Sequence, residues 1–391
     1  MSQKIKILSL MLTVSMALST AACDLIIEKR VDPYESDSTI VTFETETETE
    51  TESETEVPVF VAPEYVNPLT GLGVSEDIAD NRPIAVMINN IKAAMPQHGT
   101  SAADVIYECI VEGAQTRLMA VYLDYENLPS IGSVRSSREY YLDFAGNHDA
   151  IYVHAGGSDE AYRQLKLSRT NNLDGVNMYL PDTFYRDKER LKTHPYEHTL
   201  MTNGEKIVSG IEYKGYRSEA DTDFVQPFKF VDFEEEVIPR GDSADYVGVS
   251  YSAAHSPYYT YDSESLKYTR YQFDAKQKDA NTGDALTFDN IVILYLNTYY
   301  TGDDKGHYSV KATGTGDGIY VTRGKSEKIT WKKDGRNSAV KLYDLDGNEL
   351  VMNRGKTMMQ ICTTAMAETT VISGNQSQSQ QNAQEDGTTA Y

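Results

Sequence analysis

The sequence predicts an α+β fold, in which an N-terminal α/β domain with a mixed sheet is followed by a β-rich C-terminal domain. In the first half of the folded region, apolar segments with strand and helix periods alternate. From about Gly215 onward, the segments are rich in Tyr, Val, Ile and Thr and alternate polar with apolar residues, which favours strands. The folded region covers about 310 residues, a length typical of two domains.

The first half, residues 63–214, is predicted to interleave strands with helices, which is typical of an α/β layer. Gly113 separates two of the strands and predicts a tight turn between them. The predicted strands are 82–90, 103–113, 116–124 and 149–157. The predicted helices are 136–147, 158–167 and 203–212.

The second half, residues 215–372, is predicted to consist of strands and hairpins. Much of the chain's tyrosine lies here, where each ring can cover a sheet face while its hydroxyl reaches water. The segment 343–357 carries Asp-Gly-Asn and predicts a hairpin turn. The predicted strand segments are 224–233, 244–252, 256–273, 289–300, 307–314, 318–324 and 326–334.

The first 22 residues predict a secretory signal peptide. Lys4 and Lys6 precede an apolar run that is too short for an ordinary membrane-spanning helix. Small residues then lead directly to Cys23, a pattern that resembles a bacterial lipobox. We therefore expect lipidation of Cys23 and attachment at the outer, extracytoplasmic face of the cell membrane.

Residues 23–62 predict a disordered acidic tether, because Thr and Glu alternate there and supply no apolar surface. Residues 373–391 predict a second polar, disordered tail. The formal net charge is −23, and nucleic acid is not expected as a partner of so acidic a chain. Cys109 and Cys362 lie in apolar runs and are expected either as buried free thiols or as a bridged pair.

The segment 133–162 holds the candidate site. Ser136 with Glu139 three positions later predicts a capping box and a helix start, with Arg135 and Arg138 beside it. Cations are poorly placed at the positive end of a helix dipole, so a bound anion would explain them. Arg117, on a neighbouring predicted strand, is expected to contribute to the same site.

The next strand and helix repeat this arrangement. His154 ends the strand, and Gly156, Gly157 and Ser158 lead into the helix. Glycines before a helix let backbone N–H groups converge on an anion, and ligands gather at the carboxyl ends of parallel strands. The sequence leaves open a second interpretation, in which Arg135 and Arg138 pair internally with Glu108, Glu112 or Asp143.

Catalytic signatures are weak. Acid–base chemistry could use His154 with Asp159, or Glu108 with Glu112, but no nucleophile motif accompanies either pair. His194 and His198 stand four residues apart, as in a zinc-protease motif, but Glu197 adjoins the second histidine instead of the first and Pro195 restricts a helix start, so the pattern does not match. We therefore expect no metal and no cofactor, and the sequence favours a protein that is not an enzyme.

Long motifs resemble the YerB-like lipoproteins, a Gram-positive cell-envelope family of unknown function with two domains. The resemblance implies an extracytoplasmic lipoprotein and no established reaction. It covers most of residues 65–363 and rests on the segments 67–72, 82–90, 103–122, 131–145, 149–162, 184–190, 328–333 and 355–361.

The favoured hypothesis is a membrane-anchored lipoprotein that binds an anionic envelope ligand through the arginine and glycine segment. An anionic wall polymer, a lipid-linked precursor or an acidic segment of an envelope protein would supply the anion. Two alternatives remain open: a transferase or hydrolase acting on phosphorylated wall precursors, and a scaffold or assembly protein without a small ligand.

Overall fold

A computed structural model of the chain describes residues 60–374. The predicted signal peptide, Cys23, the tether up to residue 59 and the tail from residue 375 lie outside the described residues. The helices are α1 (Glu76–Ala79), α2 (Glu139–Gly146), α3 (Asp159–Ser168), α4 (Arg190–Thr193) and α5 (Gly204–Lys214). The strands are β1 (Ile84–Asn89), β2 (Val105–Val111), β3 (Gln115–Tyr122), β4 (Ile131–Gly132), β5 (Ile151–His154), β6 (Asn172–Asp174), β7 (Tyr185–Arg186), β8 (Leu200–Thr202), β9 (Lys229–Phe230), β10 (Tyr246–Gly248), β11 (Tyr258–Asp262), β12 (Lys267–Gln272), β13 (Ala275–Lys276), β14 (Thr287–Phe288), β15 (Asn290–Leu296), β16 (Thr298–Tyr300), β17 (Tyr308–Val310), β18 (Gly314–Thr322), β19 (Lys325–Lys333), β20 (Lys341–Tyr343), β21 (Val351–Met352), β22 (Thr357–Thr363) and β23 (Val371–Ser373).

A mixed sheet of ten strands forms the main layer, in the order β20-β19-β18-β15-β22-β2-β3-β1-β5-β6. Half of these strands precede residue 215 and half follow it, and the two sets meet where β22 pairs in parallel with β2. The mixed sheet, the helices of the first half and the strands of the second confirm the predicted α+β class. The main sheet therefore contains strands from both predicted domains. The predicted boundary after residue 214 marks the point along the chain where a mixture of helices and strands gives way to strands.

Strand direction gives the main sheet two distinct edges. β5 is parallel to β1 and β6, β22 is parallel to β2, and β3 lies antiparallel between β1 and β2. The carboxyl ends of these parallel strands therefore share one edge. The amino ends of β2 and β22 lie at the other edge, where the start of the described chain packs. There Asn67 donates to Asp104 Oδ1 at 3.0 Å, and the Gly355 amide donates to Thr70 O at 2.7 Å.

The two faces of the main sheet are covered by different layers. On one face α2 packs through aromatic rings, with Tyr107 and Phe144 stacked at 5.4 Å between centroids. The next residue, Glu108, points to the opposite face. There a second sheet (β13-β12-β11-β10-β23, with β14 on β12) places Arg270 against Glu108 at 2.7 Å, and both side chains are fully buried. The Glu108 carboxylate also accepts hydrogen bonds from Asn90, Thr116 and Gln360.

The helix starts differ in how well the sequence predicts them. The predicted cap at Ser136 is wrong, because α2 begins at Glu139 and its N-cap residue Arg138 makes no side-chain cap. The preceding residues are held extended, with the Ser137 amide donating to Gly156 O at 2.9 Å. By contrast Ser158 caps α3, accepting from the Ala161 amide at 3.1 Å. Among residues 60–374, no helix is both long and apolar enough to cross a membrane.

Cys109 and Cys362 are buried free thiols, so the bridged alternative is wrong. Cys109 on β2 pairs with Ile361 on β22. Neighbouring residues of a strand point to opposite faces, so Cys362 lies on the face away from Cys109.

Candidate functional site

The candidate site lies at the carboxyl ends of β1 and β5. The chain before α2 runs extended between them, and its amides reach both neighbours. The Arg135 amide donates to Met87 O at 2.9 Å, and the Ser137 amide donates to Gly156 O at 2.9 Å. These bonds bring the segment 135–138 against the turn formed by Gly156 and its neighbour.

Two of the candidate arginines share one carboxylate. Arg117, on β3, donates from Nη2 to Glu112 Oε1 at 2.5 Å. Arg138 donates from Nε to Glu112 Oε2 at 2.9 Å and from Nη2 to Oε1. Each guanidinium also donates to a backbone carbonyl, Arg117 to Ser136 O at 2.8 Å and Arg138 to Ser137 O at 2.6 Å. For Arg138, this is one of the internal ion pairs that the sequence left open.

The charges in this group do not cancel. Burial acts to raise the pKa of Glu112, but the two guanidiniums outweigh it and hold that pKa at about 2. Burial and repulsion from Arg138 lower the pKa of Arg117 to about 10, in spite of the attraction of Glu112. Two cations therefore face one anion near neutral pH, before Arg135 is counted.

Arg135 is the least committed of the three arginines. Its side chain is half-buried, and it donates a long hydrogen bond to Glu197 O, at 3.4 Å. Burial lowers the pKa of Arg135, while the carboxylates of Glu197 and Glu112 act to raise it. The half-buried Ser136 hydroxyl has no hydrogen-bond partner among residues 60–374. These two side chains are donors with capacity for a ligand.

Two further arginines lie near this edge, and sequence reasoning did not single them out. Arg190 is buried and donates to the backbone carbonyls of Ala94, Pro96 and His198. Arg186 lies over the ring of Tyr196 at 3.8 Å and donates to Tyr196 O at 2.6 Å. Both belong to the segment 184–190, whose mixed charges suggest surface ion pairs rather than guanidiniums bound to carbonyls.

Two of the backbone donors predicted at the glycine turn, the amides of Gly156 and Ser158, are already occupied. Gly156 has a φ of 78°, a conformation that glycine adopts without strain. Its amide donates to Asp174 Oδ1 at 2.8 Å, and the Ser158 amide donates to Ser137 O at 3.3 Å. The structure thus brings Gly156, Gly157 and Ser158 beside the arginines, and their role there is to hold the segment in place.

The catalytic pair of His154 and Asp159 is not formed. His154 is fully buried, with Nδ1 2.8 Å from Gly156 O and Nε2 3.2 Å from Asn172 Oδ1. The Asp159 side chain is 97% exposed and lies 3.5 Å from Lys305. It stands at the first position of α3 and points to solvent, so it cannot orient the imidazole.

Glu108 and Glu112 also fail to form a carboxylate pair. Glu108 faces the second sheet, whereas Glu112 lies with Arg117 on the side of α2. The predicted strand ran to residue 113, but β2 ends at Val111. Glu112 then opens a 3-10 turn in which Gly113 has a φ of 68°. Because of this turn, the Glu112 side chain does not point to the sheet face that the alternation of β2 would give it.

A cleft of about 1060 Å³ opens between the helices α2 and α3 and the β16–β17 hairpin. Ser158 and Asp159 contribute to its lining, together with Glu139 and Tyr308. Arg117, Arg135 and Arg138 do not line it, so the arginines of the candidate site lie outside this cleft.

Comparison with known proteins agrees with the predicted resemblance. The domain described as "Protein of unknown function (DUF3048) N-terminal domain" matches residues 69–217, and its C-terminal counterpart matches residues 247–359. "Putative lipoprotein YerB" of Bacillus subtilis (strain 168) is 30% identical over 299 residues, which are 75% of this chain and 85% of that protein. The crystal structure of YerB from Bacillus subtilis has a TM-score of 0.69 at 27% identity and covers 79% of this chain and 100% of that chain. The chain therefore belongs to the DUF3048 family.

Proposed function

We propose that this protein is a lipoprotein, anchored at the outer face of the cell membrane through Cys23, that binds an anionic ligand of the cell envelope. The name of the Bacillus subtilis relative, "Putative lipoprotein YerB", and the small residues before Cys23 support the anchor. The binding site of the proposal is the arginine cluster, formed by Arg117, Arg135 and Arg138.

The observation that carries the proposal is the charge imbalance of the arginine cluster. Three guanidiniums lie together, and in the described part of the chain one carboxylate, that of Glu112, hydrogen-bonds to two of them. The third, Arg135, donates to Glu197 O and is attracted by the carboxylates of Glu197 and Glu112 without bonding to either. The whole chain has a formal net charge of −23, so an excess of positive charge here is a local feature. Guanidiniums bind carboxylates and phosphates through paired, charge-assisted hydrogen bonds.

The arginine cluster lies at the carboxyl ends of β1 and β5. The first described residues pack at the opposite edge of the main sheet, at the amino ends of β2 and β22, so they do not cover the cluster. An anionic wall polymer, a lipid-linked precursor or an acidic segment of an envelope protein could reach it there.

Arg135 is the residue to change, because among residues 60–374 its guanidinium hydrogen-bonds to a carbonyl, Glu197 O, and to no carboxylate, so its loss should leave the fold intact. The test uses residues 23–391 with Cys23→Ser, and it titrates poly(glycerol phosphate) as the probe. Arg135→Gln should weaken binding about tenfold, the loss of one charge-assisted contact. Arg163→Gln is the matched control, since this exposed arginine pairs with Glu160 on α3. Equal affinity of the folded Arg135→Gln variant and the control would reject the proposed site.

A further inference from the structure

The two inner guanidiniums of the arginine cluster are held in place independently of the carboxylate between them. Arg117 and Arg138 are 6% and 7% exposed. Arg117 is fixed by its bond to Ser136 O, and Arg138 by its bond to Ser137 O. Because these carbonyls belong to a different segment from Glu112, both guanidiniums keep an anchor if the carboxylate moves away.

Glu112, in contrast, is carried by a projecting turn. Its side chain is 27% exposed, more than either arginine it binds. A Cβ placed on the next residue, Gly113, would meet nothing within 4 Å, so the turn is open at that position, while its last residue is held by the Ser252 hydroxyl, which donates to Ala114 O at 2.8 Å. The side chains that hydrogen-bond to the carboxylate are Arg117 and Arg138. A change of the Glu112 side-chain rotamer, with the turn in place, would free both guanidiniums.

The donors that converge on Glu112 fit a phosphate at least as well as a carboxylate. Two Nη2 groups meet at Oε1, and the Arg138 Nε meets Oε2. A phosphate monoester has the same fork of two oxygens, a further oxygen, and a charge close to −2 at neutral pH. That additional oxygen and charge could be met by the neighbouring Arg135 and Ser136, which a single carboxylate leaves unused.

We infer that Glu112 is a built-in competitor at the arginine cluster, and that a phosphate monoester displaces its carboxylate from Arg117 and Arg138 when it binds. This inference rests on the proposed function. The ligand is then one that carries a phosphoryl group, and Glu112 is the residue that limits its access to the arginine cluster. The measured affinity for the phosphate is then set by the difference between its own binding free energy and that of the Glu112 carboxylate at the same guanidiniums.

The test measures binding of phenyl phosphate to residues 23–391 carrying Cys23→Ser. Glu112→Gln should bind about tenfold or more tightly than the parent chain, because the competing charge is gone. Glu112→Asp keeps the charge and should fold, but its shorter side chain reaches the fork less well, so its affinity should fall in between. Glu160→Gln is the control, because Glu160 holds Arg163 through the same two-oxygen contact on an exposed helix. Its affinity should equal that of the parent.

The outcomes separate this inference from the proposal on which it rests. If Arg135→Gln weakens binding but Glu112→Asp and Glu112→Gln bind like the parent, Glu112 is no competitor and the proposed function stands. If neither the parent nor any variant binds phenyl phosphate or poly(glycerol phosphate), the proposed function fails and this inference with it. Should Glu112→Gln not fold, the Glu112→Asp comparison decides alone.

Discussion

Replacing Arg270 with Met should lower the free energy of unfolding by about 3–5 kcal/mol, because it leaves a buried carboxylate without its counterion. Arg270 and Glu108 are both fully buried, and their 2.7 Å contact joins the second sheet to the main sheet. After the substitution, Glu108 would keep its bonds from Asn90, Thr116 and Gln360, at 2.9, 2.8 and 3.0 Å. These neutral donors cannot replace the lost charge.

Removing both charges should be milder than removing one. In the double variant Glu108→Gln with Arg270→Met, no charge remains buried, and the amide can still accept from its neighbours. We expect the double variant to recover about 2 kcal/mol relative to the sum of the single changes. Urea unfolding followed by the fluorescence of Trp331, which is buried on β19 in the main sheet, measures all four proteins.

Two results would contradict this role of the buried ion pair. If Arg270→Met costs less than about 1 kcal/mol, the carboxylate is compensated from elsewhere and the pair does not hold the layers together. If the double variant shows no recovery, the two charges act independently despite their contact.

Two further predictions concern a helix cap and a buried acid. Ser158→Ala should lower the free energy of unfolding by about 1 kcal/mol, because the Ser158 hydroxyl caps α3. Ser136→Ala should leave the free energy of unfolding nearly unchanged, because Ser136 caps no helix. Urea unfolding measures both variants, and equal losses would contradict the observed helix starts. Burial raises the pKa of Asp104 from 3.8 to about 6. The folded state therefore binds this proton more tightly than the unfolded state, so the stability gained below about pH 4 is lost as the pH rises to about 6. Asp104→Asn should flatten the pH dependence of unfolding in that window, and an unchanged slope would assign it to other groups.

Local patterns predicted the local structure well. The Ser158 cap, the turn at Gly113 and the strands around them follow from residue type and spacing, and the structure contains all of them. Ser136 has a stronger local cap signature than Ser158, because Glu139 stands three positions after it, whereas Ala161 stands three positions after Ser158. At Ser136 the hydrogen bond from the next amide, Ser137, to Gly156 O holds the backbone extended, and no local pattern reveals a partner so distant in the sequence.

The sequence indicated which arginines lie close together, but it did not indicate which carboxylate each of them binds. Sequence reasoning placed Arg117, Arg135 and Arg138 together, and the structure does the same. It could not assign each carboxylate to its partner, because that depends on the sheet face to which each one points. Glu108 faces the second sheet, while one turn carries Glu112 to the other side.

The place of β22 in the main sheet constrains how a nascent chain can fold. This strand is synthesised long after β2, yet it lies between β2 and β15 in the middle of the sheet. Its residue Gln360 bonds to Glu108, which lies 252 positions earlier. Pairing of such distant segments closes slowly, and until it closes β2 and β15 are bare edges open to proteases and to other chains. The ribosome must therefore have released β22 before the two halves of the main sheet can pair.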